Sequence, residues 1–150
     1  MKNWFLIAVG LACLAVPLYA KGLEVSPSSY HWRVDGSGKR MEMAVPIKIV
    51  NRSARKRIYT VRARTPAEIN VKADHGFGGR IGTDWVAFET AEVEVLPETA
   101  KTVKVFMAIP PPNYRKGEQG MFYVEVKERP PRNDRFALAA YLKMYVVMNK

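Results

Sequence analysis

The chain has 150 residues, of which 24 are Lys or Arg and 14 are Asp or Glu, so its formal net charge is +10. This length suits one ordinary domain with a buried core. The basic balance favours acidic partners, such as an envelope surface, a polyanionic glycan or an acidic protein. The single cysteine excludes a disulfide framework within the chain, so stability must come from core packing.

The N-terminus has the layout of a secretory signal peptide, in which Lys2 precedes an apolar stretch over residues 4–16. That stretch is shorter than the about 20 residues that a membrane-spanning helix needs. We therefore predict a signal peptide over residues 1–20 and one domain over residues 21–150. Cys13 lies in the signal, so the mature domain is expected to contain no Cys-based metal or nucleophile site.

The first clear strand pattern covers residues 41–50, where apolar side chains alternate with the others. Pro46 cannot donate to a sheet ladder, so this strand is expected to lie at an edge, to bulge, or to be unpaired there. The alternation returns over residues 59–63, and Pro66 ends it. The two strands are predicted to form a hairpin. The basic cluster between them, residues 52–57, is interpreted as a solvated turn.

Residues 67–83 show no periodic pattern, and residues 74–82 contain four glycines. The glycine spacing matches no phosphate-binding motif, and no helical pattern follows. We predict a flexible loop.

The rest of the chain alternates short strand patterns with connections rich in Pro and Gly. The predicted strands cover residues 85–88, 92–96, 102–109 and 122–126, with a final strand that begins near Phe136. About seven strands without a helical segment predict an all-β, immunoglobulin-like seven-stranded sandwich. Trp32 and Trp85 are expected to pack between its sheets.

Few residues have the arrangement that catalysis requires. His31 and His75 are far apart in sequence and have no carboxylates at ligand spacing around them. Glu92 and Glu94 share one face of a predicted strand, where solvated carboxylates are expected. We therefore predict a binding or structural protein with no enzymatic activity, metal or cofactor.

Several segments, in this order, resemble the N-terminal domain of the periplasmic pilus chaperones of the chaperone/usher pathway. They are "LEVSPSSYHW" (23–32), "MAVPIKIVNRSARKRIYTVRARTP" (43–66), "WVAFETAEVEVLPETAKTVKVFMA" (85–108), "GMFYVEVKERPP" (120–131) and "FALAAYLKMYVV" (136–147). The resemblance spans the whole predicted mature chain and implies an immunoglobulin-like fold.

In that family, the last strand of this domain lends alternating apolar residues to an unfinished pilus subunit. The resemblance places Phe136, Leu138 and Ala140 in this role, with Leu142 and Met144 continuing the same parity. Such β-strand addition combines backbone hydrogen bonds with side chains that enter the partner's groove. Packing of these residues inside the domain itself is the open alternative.

The family also binds the client's C-terminal carboxylate with a Lys on this strand and an Arg on the first strand. Lys143 matches the lysine. Ser29 stands in the place of the arginine, and Arg33 lies four positions later. Those chaperones carry a second sandwich domain, whereas this sequence ends where the first domain would end, so we expect a single-domain relative.

These observations predict a periplasmic protein, exported by its signal peptide, that binds pilin or other secreted β-subunits during pilus assembly. An outer-membrane usher is a second candidate partner, whereas nucleic acid and stable membrane insertion are not expected. The alternatives are a structural or accessory subunit of a surface appendage, and a basic envelope-binding module.

Overall fold

The computed structural model describes residues 22–130, 132 and 136–149, so the predicted signal peptide lies outside the described residues. Within these residues the chain forms strands and short 3₁₀ turns but no α-helix. No helix in the described part has the length and apolar character needed to cross a membrane. The strands are β1 (Leu23–Ser26), β2 (Ser29–Val34), β3 (Met41–Glu42), β4 (Ile47–Asn51), β5 (Arg57–Arg64), β6 (Val86–Phe88), β7 (Glu92–Val95), β8 (Ala100–Val103), β9 (Val105–Met107), β10 (Gln119–Glu128) and β11 (Ala139–Met148).

The strands form two layers. One layer is a five-stranded sheet in the order β2-β11-β10-β5-β7. The other contains two three-stranded sheets, β1-β4-β8 and β3-β9-β6. The predicted all-β, immunoglobulin-like sandwich is confirmed. Two predicted strands are interrupted: residues 41–50 form β3 and β4, and residues 102–109 include β8 and β9.

The interruption at Pro46 is a bulge. Met43 donates its N–H to the carbonyl of Val105 at 2.9 Å, and Ile47 pairs with Val103. Three residues, 44–46, therefore stand opposite the single residue between Val105 and Val103. The bulge removes the need for an N–H at Pro46, so the expectation of a bulged strand is confirmed.

A continuous core fills the space between the layers. Both tryptophans expected there are buried, Trp32 from β2 and Trp85 just before β6. The even-numbered residues of β11 from Leu142 onward also point into this core, as the two-residue period of a strand requires. The largest fully buried side chains are Tyr59, Phe122, Met43, Ile47 and Ile49.

The predicted hairpin of the strands at 41–50 and 59–63 is wrong. β4 pairs with β1 and β8, whereas β5 pairs with β10 and β7 in the other layer. Asn51, which is 0% exposed, fixes this crossing between layers. Its amide donates to the carbonyls of Arg55 at 2.7 Å and Val95 at 3.0 Å, and its carbonyl accepts from the backbone N–H of Ser53.

The segment "LEVSPSSYHW" (23–32), which carries part of the resemblance, is divided between the layers. β1 pairs with β4 in one layer, and after Pro27 and Ser28 the chain enters the other layer as β2. There β2 pairs in parallel with β11, beginning at Ser29 opposite Lys143. This division decides how much of β11 is covered on that side.

Replacing Asn51 by Ala is expected to lower the free energy of unfolding by about 1–3 kcal/mol, because the buried carbonyl of Val95 loses its donor. Equilibrium denaturation in urea measures the change. Ser53→Ala is the matched control, since it removes a hydroxyl that bonds to the same side chain in a half-buried position. A loss of less than about 0.5 kcal/mol in Asn51→Ala, which is typical of ordinary surface substitutions, would contradict this account.

Candidate functional site: the open half of the last strand

Strand β11 is covered unequally along its two edges. On one side β10 pairs with residues from Ala139 to Val147. On the other side β2 begins only at Lys143, whose N–H donates to the carbonyl of Ser28 at 3.0 Å. Among the described residues, no strand pairs with Ala139–Leu142 on that side. We call these four residues the open half.

The hydrogen bonds at both ends of β11 show which backbone groups face the open side. Leu138 accepts from the N–H of Glu128 at 2.7 Å, and Met148 donates to the carbonyl of Glu118 at 3.0 Å. Even-numbered residues therefore bond to β10, and odd-numbered residues face the opposite way, because antiparallel ladders alternate. In the open half, the N–H and C=O groups of Ala139 and Tyr141 consequently point toward the edge on which no described strand pairs with them.

The apolar side chains predicted for partner binding are divided between surface and core. Phe136 is 90% exposed. Leu138 and Ala140 are half-buried, and a Cβ placed on Gly22 would lie 3.0 Å from Leu138 Cδ1. Leu142 is 2% exposed and belongs to the domain's own core, as does Met144. The alternative of internal packing thus describes Leu142, whereas Phe136, Leu138 and Ala140 remain at the surface.

Lys143 lies on the outer face of the sheet, where it has a partner within the chain. Its Nζ donates to Asp74 Oδ2 at 2.9 Å, and the hydroxyl of Tyr145 donates to the same carboxylate. These hydrogen bonds, from Tyr145 first and Lys143 second, lower the pKa of the Asp74 carboxyl. The same bonds raise the pKa of Lys143 and of Tyr145, so the Asp74–Lys143 pair is charged at neutral pH.

Ser29 and Arg33, the two residues considered in place of the family's arginine, both lie on β2 but at different distances from Lys143. Ser29 stands directly opposite Lys143. Arg33 stands opposite Val147, four residues farther along β2, which corresponds to about 13 Å of strand. Arg33 therefore does not lie beside Lys143.

Residues 67–83 were predicted as a flexible loop; in the structure, residues 65–80 lie against the outer face of the sheet, and Ile81 is buried in the core. We call residues 65–80 the strap. Phe77 packs on Tyr145 with 4.7 Å between ring centroids, and Tyr145 stacks on His31 at 4.5 Å. Asp74 donates its backbone N–H to Met121 Sδ at 3.1 Å. Phe77 also packs edge-on against His31, with 6.2 Å between ring centroids, so the strap contacts β2, β10 and β11.

The glycines of the strap allow a close backbone approach. Gly79 donates its N–H to the carbonyl of Gln119 at 2.8 Å and bridges to Gly120. A Cβ on Gly79 would lie 2.5 Å from the Gln119 carbonyl oxygen, and one on Gly120 would lie 2.5 Å from that of Gly79. Sequence reasoning missed this site because the glycines were taken as a source of flexibility. The nearby Gly120 in a strand pattern was the available signal.

Two clefts of about 400 Å³ each separate parts of the strap from the sheet. One is lined by Tyr123, Tyr141 and Glu125, with Val71 from the strap. There the hydroxyl of Tyr141 donates to Glu125 Oε2 at 3.2 Å, and Arg64 lies 3.5 Å from the same carboxylate. Tyr141, in the open half, is therefore also held from the outer face.

Three basic residues of the turn at residues 52–57 form ion pairs. Arg52 lies 3.0 Å from Glu24, Lys56 lies 3.0 Å from Glu94, and Arg57 lies 2.7 Å from Glu128. These contacts support the interpretation as a solvated turn. Among the described residues, no three His, Cys, Asp or Glu side chains are grouped so that they could hold a metal ion.

No protein-family model and no curated protein matches the chain. Solved structures do match its fold. The Escherichia coli chaperone DraB has a TM-score of 0.57 at 6% identity, covering 83% of this chain and 54% of its own. A chain of the complex between the Salmonella enterica SafA pilin and the SafB chaperone has a TM-score of 0.58 at 8% identity, with coverages of 83% and 53%.

A PapD-like domain of human CEP192 also matches, with a TM-score of 0.58 at 8% identity over 87% of both chains. The chain spans a little over half the length of the matched pilus chaperones. These neighbours are described as chaperones and a PapD-like domain, not as enzymes. The predicted resemblance is therefore confirmed at the level of fold: the chain has the immunoglobulin-like architecture of periplasmic pilus chaperones and PapD-like domains.

Proposed function

We propose that this protein is a periplasmic chaperone-like protein that binds pilin or other secreted β-subunits by β-strand addition during pilus assembly. The open half of β11 is the observation that carries the proposal. Ala139 and Tyr141 offer a short row of backbone donors and acceptors there, and an exposed sheet edge is a template for another strand.

Apolar side chains beside the open half supply the second part of the contact. Phe136 is almost fully exposed, and Leu138 and Ala140 are half-buried and share the parity of the core-facing residues of β11. Burying a Phe or Leu side chain contributes about 1.5–3 kcal/mol. A partner strand that covers these residues therefore gains both ladder bonds and apolar burial.

Lys143 is included in the proposal as a group that contacts the carboxylate of a client. Its side chain is 42% exposed, which leaves part of the ammonium open beside Asp74. A client carboxylate would share the ammonium with Asp74. Because β2 presents Ser29 opposite Lys143, the proposal assigns no arginine to this contact.

The kinds of partner follow from the structural neighbours. Some of the matched structures are complexes of a chaperone with a pilin or a tip subunit, including SafA–SafB and CsuC–CsuE. We extend that partner class to this chain, together with export to the periplasm by the predicted signal peptide and delivery to an outer-membrane usher.

A second copy of the chain is the alternative occupant of the open half, because an edge strand can pair with a copy of itself. The protein would then be a structural or accessory subunit of an appendage. Analytical ultracentrifugation separates the two functions: self-assembly requires oligomers that grow with concentration in the absence of a heterologous subunit.

Replacing Phe136 or Leu138 by Glu is expected to reduce, by about tenfold or more, the amount of β-subunit that co-purifies with the tagged protein from the periplasm. Mass spectrometry of the purified complexes measures the reduction. Val45→Glu is the control, since Val45 is an exposed apolar residue in the bulge of the other layer. Undiminished capture by a folded Phe136→Glu variant would overturn the assignment of this surface.

Replacing Ala139 by Pro is expected to abolish strand addition with little change in the stability of the isolated domain. The substitution removes an N–H that faces the open edge, so no ladder bond with β10 is lost. Ala139→Val keeps the N–H and serves as the control in the same co-purification assay. Equal capture by the Pro and Val variants would show that backbone pairing at this edge does not hold the partner.

A further inference from the structure

The strap contacts β11 at the boundary between its open and covered halves. Asp74 accepts hydrogen bonds from both Lys143 and Tyr145, and Phe77 packs on the ring of Tyr145. Lys143 is also the first residue of β11 that β2 pairs with. Lys143, the first residue of β11 with a neighbouring strand on both sides, is therefore also a residue whose side chain the strap binds on the outer face.

On the N-terminal side of this boundary, β11 has fewer constraints. Within the described part of the chain, Ala139–Leu142 has one ladder partner, β10, and one side-chain hydrogen bond on the outer face, from Tyr141 to Glu125. A strand with a single partner frays from its free end, because each opened residue costs few bonds and regains conformational entropy. Fraying that starts beyond Ala139 continues until it meets a residue with additional partners.

The strap itself is fixed independently of Asp74. Gly79 bonds to Gln119 at 2.8 Å, and the N–H of Arg80 donates to Glu118 Oε1 at 3.2 Å. The carboxylate of Asp74 is thus supplied from a segment that is held on β10 at a second point. This arrangement lets Asp74 act on β11 as a fixed support.

We propose that Asp74 is a positioning residue for the open half: by holding Lys143 and Tyr145, it fixes the C-terminal end of Ala139–Leu142 and so limits the fraying of that segment. The inference rests on the proposed function for the role of the open half, but the effect of Asp74 on β11 is a property of the isolated domain. Asp74 touches no partner in this account and acts only through β11.

Hydrogen–deuterium exchange of the isolated protein, read at single residues by NMR, tests the inference. In Asp74→Asn, the amides of Leu142 and Met144, which bond to β10, are expected to exchange roughly threefold faster or more, the size of effect associated with a partly exposed ion pair. The amides of Val61 and Met43, bonded to Ala91 and Val105, are the internal reference and should exchange as in the wild type.

Two further variants separate positioning from general destabilisation. Asp74→Glu retains the charge and should restore most of the slow exchange at Leu142. Tyr145→Phe retains the ring contacts with Phe77 and His31 but removes one of the two donors, so an intermediate acceleration is expected.

Unchanged exchange at Leu142 and Met144 in Asp74→Asn would overturn the inference, and so would equal acceleration at Val61 and Met43, which would indicate loss of global stability. Because no partner is present in the experiment, failure of the proposed function in the co-purification assays would leave this measurement unaffected. The two proposals therefore fail separately.

Discussion

Strand β1 pairs within one layer of the sandwich only. This constraint determines which part of β11, in the other layer, has a neighbouring strand on both sides. Leu23–Ser26 pairs with β4 in one layer, so only Ser29 onward is free to cover β11 in the other. Among the residues that the structure describes, the N-terminal half of β11 consequently pairs with β10 alone. The open edge is thus produced by the chain path of β1 and β2 and not by an unusual sequence in β11.

The outer face of the five-stranded sheet compensates for this incomplete pairing. Lys143, Tyr145 and Tyr141 each bond to a carboxylate supplied by the strap or by β10. These contacts lie on the odd-numbered side of β11, whereas the core holds Leu142 and Met144 on the even-numbered side. The strand is therefore fixed through side chains on both faces, on the outer one at Tyr141 in the open half and at Lys143 and Tyr145 where pairing with β2 begins. A rigid but unpaired strand is the form that suits strand addition, because little ordering entropy is then lost on binding.

Sequence periodicity predicted those features that depend on side chains alternating between core and solvent. The β-sandwich and the buried Trp32 and Trp85 follow from local patterns, and so does a disruption at Pro46, for which a bulge was one of three possibilities. The layer to which each strand belongs did not follow, because it is decided by long-range contacts. Asn51, for example, reaches Val95 across 44 residues and carries the chain between layers where a hairpin was predicted.

The sequence predicted only part of the candidate site, because the rest of the site also depends on long-range contacts. The parity of Phe136, Leu138 and Ala140 is visible in the sequence, but the end of pairing by β2 is not. Asp74 was also missed, since 69 residues separate it from Lys143 and no pattern connects them. The glycines near Asp74 have a steric role. Gly79 and Gly120 let two backbone segments approach so closely that a Cβ on either residue would clash.

The short length of the open half limits how strongly any strand can be held there. Ala139 and Tyr141 together present two N–H and two C=O groups, and a hydrogen bond formed in water contributes a net of about 0.5–1.5 kcal/mol. Backbone pairing alone thus supplies about 2–6 kcal/mol before the costs of association, well below the about 12 kcal/mol of a nanomolar complex. Selectivity and residence time must then come from the few side chains around the edge. Under the proposed function, a contact of this size is suited to release, because a longer competing strand that offers more ladder bonds would replace it.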